Sequence, residues 1–252
     1  MQFLDSMGHL LDRLARHVHC FRNGLRLGFV YVRARSFKIP QKIHIAGKSV
    51  PLRFPPEQGA RIDFFVCFLR NEYGLQKRLS NVQTILDIGA NLGFFSMAAR
   101  SHYPKATIHA YEPNTRAFTY LKENTCQLGI VIYPEAVGGS SGYVSMEDCG
   151  DSNLARTVVT CDGSIAQVSL ATAIERLGGS VDLVKLDCEG AEWEMFSKAE
   201  PWQQIRNVRM EYHLFHDETV QDVERNLTRL GFKVIHLQQD LTFGTVWATR
   251  TR

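Results

Sequence analysis

Four short apolar segments of this 252-residue chain each end at a carboxylate, and carboxylates grouped in this way could do chemistry. Asp87, Glu112, Asp187 and Glu211 lie at or just past the ends of runs that are typical of buried strands. Ligands of an open parallel sheet bind beyond the carboxyl ends of its strands. Carboxylates at that edge accept hydrogen bonds from hydroxyl groups and attract positive charge. The sequence therefore predicts one ligand site that collects these four acids.

The first of these acids begins a loop, residues 87–93, that joins a strand directly to a helix. Gly89 permits a tight turn and a close approach of backbone to ligand, and Gly93 lets the new helix pack against the sheet. Asn91 stands where many nucleotide-binding loops carry another glycine, and Asn tolerates a left-handed backbone. Together with Ala90, these residues are predicted to bind a nucleoside cofactor.

The second acid supports the same prediction. Glu112 follows the loop by about twenty residues, which is typical of the carboxylate that binds ribose hydroxyl groups. Pro113 comes directly after it and is included in the predicted cofactor site. Glu135, after the third strand, is predicted to approach the adenine.

The charge of the loop distinguishes between two cofactors. The pyrophosphate of NAD favours an open helix N-terminus and a Gly-x-Gly-x-x-Gly run. This chain has Gly-x-x-x-Gly, with Asp87 two residues before the first glycine. A carboxylate there repels phosphate and suits the ammonium and sulfonium groups of S-adenosylmethionine, which is the predicted cofactor. An NAD-linked oxidoreductase and a non-catalytic, partner-binding protein with a methyltransferase fold remain as alternatives.

The last two acids indicate where a chemical step would occur. Asp187 and Glu189 alternate at one strand end, and Glu211 and His213 alternate at the next. If the strands are neighbours, the four side chains converge on one cleft. Methyl transfer needs an aligned acceptor oxygen, and a base assists a neutral hydroxyl group. His213 is the preferred base because its ordinary pKa lies near neutrality, and Glu211 would orient it.

The same side chains could hold a divalent metal through Asp187, Glu211 and His213. An imidazole suits Mg²⁺ or Mn²⁺ only partly, and no metal is predicted.

Three segments carry a resemblance to a known family. They are residues 86–96, 111–114 and 184–192, which read LDIGANLGFFS, YEPN and VKLDCEGAE. In order and spacing they resemble the FkbM family of methyltransferases. The resemblance implies a seven-stranded methyltransferase fold, S-adenosylmethionine as donor, and methylation of a hydroxyl oxygen on a sugar, polyketide or other natural product. It also implies two sets of site residues. The donor-binding residues are Asp87, Gly89, Asn91, Gly93 and Glu112, and the active-site residues are Asp187 and Glu189.

Strand and helix patterns alternate from about residue 82 to the C-terminus, which predicts an α/β, Rossmann-like fold. The expected sheet has seven strands, mostly parallel, with helices on both faces. The last two strands are close in sequence, so the last strand is expected to be antiparallel. A helix is predicted over residues 61–79, and short additional strands over the Gly- and Ser-rich residues 135–167.

The chain combines a basic leader with a mildly acidic body. Residues 1–60 carry ten Lys or Arg against three Asp or Glu, a net charge of +7, whereas residues 61–252 carry −4. We predict an N-terminal extension over residues 1–60, with an amphipathic helix and a short β-hairpin. A methyltransferase domain follows over residues 61–252. Residues 3–18 of the helix are expected to contact the body, a subunit or, weakly, a membrane surface.

The predicted acceptor is a small molecule or a glycan that presents a hydroxyl group. No interleaved aromatic platform or nucleic-acid module accompanies the basic residues, so a nucleic-acid partner is not expected. The six cysteines form no CxxC pair, and the sequence shows no secretory leader and no long apolar run. These features predict a cytoplasmic protein.

Overall fold

The computed structural model describes residues 2–33, 37–77, 79–147, 156–159, 163–215 and 217–250. Its strands are β1 (Lys42–Ile45), β2 (Lys48–Pro51), β3 (Thr84–Ile88), β4 (Thr107–Tyr111), β5 (Val131–Tyr133), β6 (Ala136–Gly138), β7 (Gly142–Glu147), β8 (Arg156–Val159), β9 (Ile165–Ser169), β10 (Leu183–Leu186), β11 (Asn207–His213), β12 (Phe232–Asp240) and β13 (Phe243–Arg250). Its helices are α1 (Gln2–Arg26), α2 (Gln58–Phe64), α3 (Phe94–His102), α4 (Thr115–Thr125), α5 (Leu170–Arg176), α6 (Ala191–Phe196) and α7 (Val220–Arg229), with a π-helical segment at Phe65–Arg70 and a 3-10 helix at Pro201–Gln204.

The main sheet has seven strands in the order β12-β13-β11-β10-β3-β4-β5. The pairs β11–β10, β10–β3, β3–β4 and β4–β5 are parallel. β13 runs antiparallel to both of its neighbours, β11 and β12. The predicted α/β fold, mostly parallel with an antiparallel last strand, is therefore confirmed.

Helices cover both faces of this sheet, and successive side chains of one strand pack against opposite faces. Ile85 of β3 lies in a hydrophobic cluster with Phe64 and Phe94. Its neighbour Leu86 lies in a second cluster with Trp202. Successive side chains of a strand point to opposite faces, so a strand that is covered on both faces must be apolar throughout. This requirement explains the short, nearly uninterrupted apolar runs of the parallel strands.

The region between β5 and α5 forms a second sheet of four strands in the order β6-β9-β7-β8. Short additional strands were predicted there over residues 135–167, and those described confirm them. The second sheet begins next to the edge of the main sheet that β5 forms, because β6 follows β5 almost directly. Met146 of β7 reaches the cleft described below.

The helix predicted over residues 61–79 is shorter than expected. α2 passes into the π-helical segment, which ends at Asn71, a residue with a left-handed backbone at φ +53°. Gly74 also has a positive φ, and a Cβ there would lie 2.7 Å from the ring of Trp247. The chain therefore turns sharply against β13 and directs Tyr73 inward. No helical pattern in the sequence distinguishes this turn from a continuing helix.

The N-terminal extension contains the predicted helix and the predicted hairpin of β1 and β2. The helix continues to Arg26, beyond the expected end at residue 18. Cys20 of α1 and Leu27, directly after it, belong to the same cluster as Phe64, and Asn23 Nδ2 donates to the Leu69 carbonyl at 2.8 Å. The domain boundary at residue 60 stays a prediction. Side chains of residues 2–13, which carry the first part of the predicted apolar face, lie outside the described part.

Candidate functional site

A cleft opens beyond the carboxyl ends of β3, β4, β10 and β11. It holds about 890 Å³ of space, including its open mouth. Eight of the predicted site residues line it: Gly89, Asn91, Glu112, Pro113, Glu135, Asp187, Glu189 and Glu211. The structure thus brings the two predicted ends of the site, cofactor-binding and chemical, into one cavity.

The glycine loop is the floor of the cleft. Gly89 has φ +73°, and a Cβ at this position would lie 1.8 Å from the Asp187 carbonyl oxygen. No other residue type fits so close a backbone approach. The amides of Gly89 and Ala90 both donate to the Tyr111 carbonyl, at 3.1 and 2.9 Å. Asn91 adopts the left-handed backbone that its residue type allows, at φ +46°.

Glu112 is fixed by two backbone amides. Its Oε2 accepts from Asn91 N at 2.7 Å, and its Oε1 accepts from Asn114 N at 2.8 Å. Asn114 in turn caps α4 by accepting from two amides of the first helical turn. Burial raises the pKa of Glu112 to about 7, although both hydrogen bonds lower it. Each carboxylate oxygen retains a second lone pair, so Glu112 can still accept from a diol in the cleft.

Asp87 lies beneath the floor and does not form part of the described lining. It is fully buried, and its Oδ2 accepts from Ser96 Oγ at 2.5 Å. Its Oδ1 lies 3.7 Å from Lys185 Nζ. Ala90 and Gly93 also lie outside the lining, and Gly93 packs against Leu121 of α4 instead. Sequence spacing placed these residues in the loop but did not show which of them face the ligand.

Lys185 connects the two halves of the cleft from below. Its Nζ donates to the Gly89 carbonyl at 2.5 Å and lies 3.2 Å from Asp187 Oδ2. Burial lowers the pKa of Lys185, but Asp187, Asp87 and Asp63 together outweigh burial and raise it. The ammonium group therefore keeps its charge, balances the carboxylates around it and links the glycine loop to the end of β10.

The acidic strand ends converge as the alternation predicted, because β10 and β11 are parallel neighbours. His213 Nε2 lies 3.3 Å from Glu189 Oε2 and 3.7 Å from Glu211 Oε1. On its other side, His213 Nδ1 lies 3.5 Å from Glu192 Oε1. The imidazole is 8% exposed and stacks on the ring of Phe215. His213 therefore lies behind Glu211 rather than in the lining.

The charge of His213 differs from the expectation that this histidine is neutral. Burial lowers the pKa of His213, but Glu192, Glu189 and Asp187 raise it further, to about 9. Burial and the charge of Asp187 raise the pKa of Glu211 well above its ordinary value. Glu211 lines the cleft, whereas His213 lies behind it and is not among the described lining residues. Once ionised, Glu211 is therefore better placed than the charged His213 to accept a proton from a ligand in the cleft.

Sequence reasoning missed three residues that shape the site. Tyr73 Oη donates to Asp187 Oδ2 at 3.0 Å, and Asp63 Oδ2 accepts from Asn91 Nδ2 at 3.4 Å. Glu192, inside a quoted motif but given no role, accepts from Gly190 N at 2.9 Å and from His213 N at 3.0 Å. Asp63 and Tyr73 precede the first strand of the main sheet, outside every motif, so no sequence signal identified them.

Glu135 lines the cleft as predicted but is paired with Arg176. The guanidinium of Arg176 also lies over the Tyr133 ring, 5.0 Å from its centroid. Glu135 is therefore partly neutralised, and it can shape the rim without adding a full negative charge.

A divalent cation is disfavoured at the acidic cluster. Asp187, Glu211 and His213 offer possible ligand atoms within 4.8 Å of one another. The ammonium of Lys185 lies 3.2 Å from Asp187 Oδ2 and repels a cation there. Lys185 already balances the charge of the carboxylate that a metal would use.

Comparisons with known proteins agree with this geometry. The model of the family described as "Methyltransferase FkbM domain" matches residues 87–234, more than half of the chain. The 31-O-demethyl-FK506 methyltransferase FkbM of Streptomyces tacrolimicus is 27% identical over 219 residues, which span 71% of this chain and 82% of that protein. Methyltransferase 1 of Beauveria bassiana (strain ARSEF 2860) is 27% identical over 157 residues, 50% of this chain and 63% of its own.

Among solved structures, the precorrin-6y C5,15-methyltransferase of Geobacter metallireducens GS-15 superposes with a TM-score of 0.47 and 13% identity. It covers 72% of this chain and 88% of its own. The family match includes the glycine loop, Glu112 and the acidic ends of β10 and β11. This chain therefore belongs to the FkbM family of S-adenosylmethionine-dependent methyltransferases.

Proposed function

We propose that this chain transfers the methyl group of S-adenosylmethionine to a hydroxyl oxygen of a small molecule or glycan. The observation that carries the proposal is the set of carboxyl groups that line the cleft. Asp63, Glu112, Asp187, Glu189 and Glu211 line it together with the paired Glu135, and none of the described lining residues is Lys or Arg. The ionised members of this set attract a sulfonium and an ammonium group and repel a pyrophosphate, which argues against NAD.

The residues present fit the donor. Gly89 brings backbone to the cleft wall, and the two amide hydrogen bonds hold Glu112 ready to accept from the ribose hydroxyl groups. Asn91, Pro113 and Glu135 line the cleft together with Glu112. Asp87 acts from below, because it fixes Ser96 and balances Lys185. When bound, S-adenosylmethionine supplies an electrophilic methyl group on a positively charged sulfur.

Glu211 is placed to accept the proton of the acceptor hydroxyl as its oxygen is methylated. It lines the cleft beside Asp187, whose Oδ2 is held by Tyr73 and Lys185. Asp187 would orient the hydroxyl group, and Glu189 would line the cleft on the same side as Asp187. His213 is a positioning residue in this scheme, because its charge stabilises the carboxylate of Glu211 from behind. This division of roles replaces the sequence-based choice of His213 as the base.

Two further points support the acceptor and the location. The relative from Streptomyces tacrolimicus is named a 31-O-demethyl-FK506 methyltransferase, which supports oxygen as the methylated atom. Cys20, Cys67, Cys126 and Cys188 are free thiols among the described residues, which supports a reducing, cytoplasmic location. Among the described helices, none has the length and apolarity needed to cross a bilayer.

Calorimetry tests the donor first. S-adenosylhomocysteine should bind, NADH should not, and Glu112→Ala should weaken binding of S-adenosylhomocysteine. Isotope-labelled S-adenosylmethionine, incubated with a set of sugars and hydroxylated natural products, then tests the transfer.

Label in an acid-stable methyl ether, lost in Glu211→Gln, is the expected result. Binding of NADH in place of S-adenosylhomocysteine would overturn the proposal in favour of an oxidoreductase. Failure of wild type to bind either cofactor at millimolar concentration would favour a non-catalytic protein of this fold.

A further inference from the structure

One face of α1 carries an apolar stripe that the described residues leave exposed. Leu14, Val18, Phe21 and Leu25 are exposed by 53%, 62%, 40% and 51% of their surface. Their spacings of four, three and four residues place them on one side of the helix. In the sequence the same spacing continues towards the N-terminus through Leu4, Met7 and Leu11. Large side chains at such exposure are unusual in a row, and a row of them marks a binding surface.

The opposite side of α1 is already occupied. Cys20 and Asn23 are buried against the π-helical segment, with Asn23 bonded to the Leu69 carbonyl. Helical geometry places these residues well away from the stripe, so the helix cannot rotate the stripe into the body without exposing its buried face. The stripe therefore faces outward while α1 is docked.

The sequence that contains and follows the described part of the stripe is basic. Residues 13–56 contain ten Lys or Arg and no Asp or Glu. Arg16, Arg22 and Arg26 of α1 are all exposed, and so are Lys38 and Lys42 beyond it. Val30 and Val32 add two more exposed apolar side chains, at 65% and 64%. An apolar stripe beside positive charge is complementary to a bilayer surface that contains anionic lipid.

The residues that flank the stripe argue against other occupants. A coiled coil between two copies carries charged residues beside its apolar seam, which set its pairing. Here the flanking positions hold Gly8, Leu10, Ala15, His17, Arg22 and Gly24. None of them is acidic, so two copies could form no ion pairs beside the stripe. A nucleic acid would use the arginines but would leave the stripe exposed to water.

We propose that α1 lies in the interface of an anionic membrane, with the stripe among the acyl chains and the arginines at the headgroups. The helix would lie on the membrane rather than span it, because its other face is docked on the protein. The methyltransferase cleft would then work next to the bilayer, where acceptors with a lipid portion are concentrated.

Vesicle co-sedimentation of the full chain tests the proposal. Wild type should sediment with phosphatidylcholine–phosphatidylglycerol vesicles and only weakly with phosphatidylcholine alone. Leu14→Glu with Val18→Glu should abolish sedimentation, and Arg22→Gln with Arg26→Gln should reduce it several-fold. The charge-matched control, Gln203→Glu with Gln221→Glu, changes two exposed residues far along the chain and should sediment as wild type. All variants should keep the circular dichroism spectrum of wild type, because every substituted residue is exposed.

Four outcomes would overturn the proposal. The first is no sedimentation of wild type with anionic vesicles, and the second is equal loss in the stripe variant and its charge-matched control. The third concerns a second copy of the chain. If wild type is a dimer in light scattering and does not bind vesicles, and the stripe variant is a monomer, the stripe is an interface between two copies. Binding of wild type to single-stranded RNA in place of vesicles, lost in the Arg22 and Arg26 variant but kept in the stripe variant, would assign the basic surface to nucleic acid instead.

Discussion

The two halves of the cleft are built on different principles. In the donor half, backbone geometry positions the site residues, through the left-handed turns of Gly89 and Asn91 and the amides that hold Glu112. In the acceptor half, a network of charged side chains positions them, with Lys185 below Asp187 and His213 behind Glu211. Backbone geometry tolerates little change at single positions, whereas a charge network responds to pH and distributes the effect of a substitution. The following predictions test this difference, from the largest expected effect to the smallest.

Gly89→Ala should be the most damaging change in the donor half. The new Cβ would meet the Asp187 carbonyl oxygen, and the positive φ adds strain of about 2 kcal/mol. We expect donor binding in calorimetry to become undetectable and the melting temperature to fall.

The matched control is Gly129→Ala, which has a similar φ of +62° but no atom within 4 Å of the new Cβ. It should show only the strain of its backbone and keep normal donor affinity. Equal loss of donor affinity in the two variants would contradict the role given to close packing at Gly89.

Glu211→Gln should lower kcat by roughly 100-fold, the usual effect of losing a general base. Donor affinity should change little, because the substitution lies in the other half. Since burial and Asp187 raise the pKa of Glu211, wild-type kcat should rise with pH as this carboxyl group loses its proton. The variant should lose that dependence.

Steady-state rates over a range of pH at saturating donor measure this effect, with the exposed Glu224→Gln as control. A Glu211→Gln enzyme with an unchanged rate would return the role of base to another group. A His213→Asn enzyme should then be compared, because loss of the imidazolium alone should shift the pH profile rather than abolish activity.

Glu112→Gln should weaken donor binding by roughly 10-fold, the value of a charged hydrogen bond. Burial raises the pKa of Glu112 to about 7, so wild-type donor affinity should fall as pH is lowered through that value and the carboxylate is protonated. Calorimetry at several pH values measures both effects, and the variant should show a weaker dependence on pH.

The same carboxyl group affects the stability of the free protein in the opposite direction. Because its pKa is higher in the folded chain than in the unfolded chain, Glu112 stabilises the fold at low pH and this contribution is lost as pH rises through about 7. Thermal melts without donor should show a smaller decrease between pH 6 and pH 8 in Glu112→Gln than in wild type. An identical decrease would mean that Glu112 is ionised over the whole range.

Tyr73→Phe should have the smallest effect. It removes one hydrogen bond to Asp187, and a single neutral donor contributes about 1 kcal/mol, which corresponds to roughly a fivefold loss in kcat. Lys185 still holds the carboxylate, as expected of a network. Tyr143→Phe, at a residue that is 64% exposed, is the control. A loss as large as that of Glu211→Gln would show that Asp187 depends on this one contact.

Sequence reasoning succeeded where the physical signal is local. A glycine that must turn, a carboxylate at the end of an apolar run and the alternation of a strand are readable from neighbouring residues, and they located Gly89, Glu112, Asp187 and Glu211 in the lining. It failed where contacts join distant segments. Tyr73 lies 114 positions before Asp187, and no pattern around Tyr73 reports that contact.

The order of the strands and helices, the family and the position of the site were therefore determined by the sequence itself, because periodicity and residue type are properties of short segments. The tertiary structure alone decided which acids face the ligand and which lie beneath it, as Asp87 does. It also decided which groups carry charge. The pKa of His213 follows from Glu192, Glu189 and Asp187, which all come more than 20 positions earlier in the chain, after the neighbouring strand β10, and only the folded sheet holds them around one imidazole.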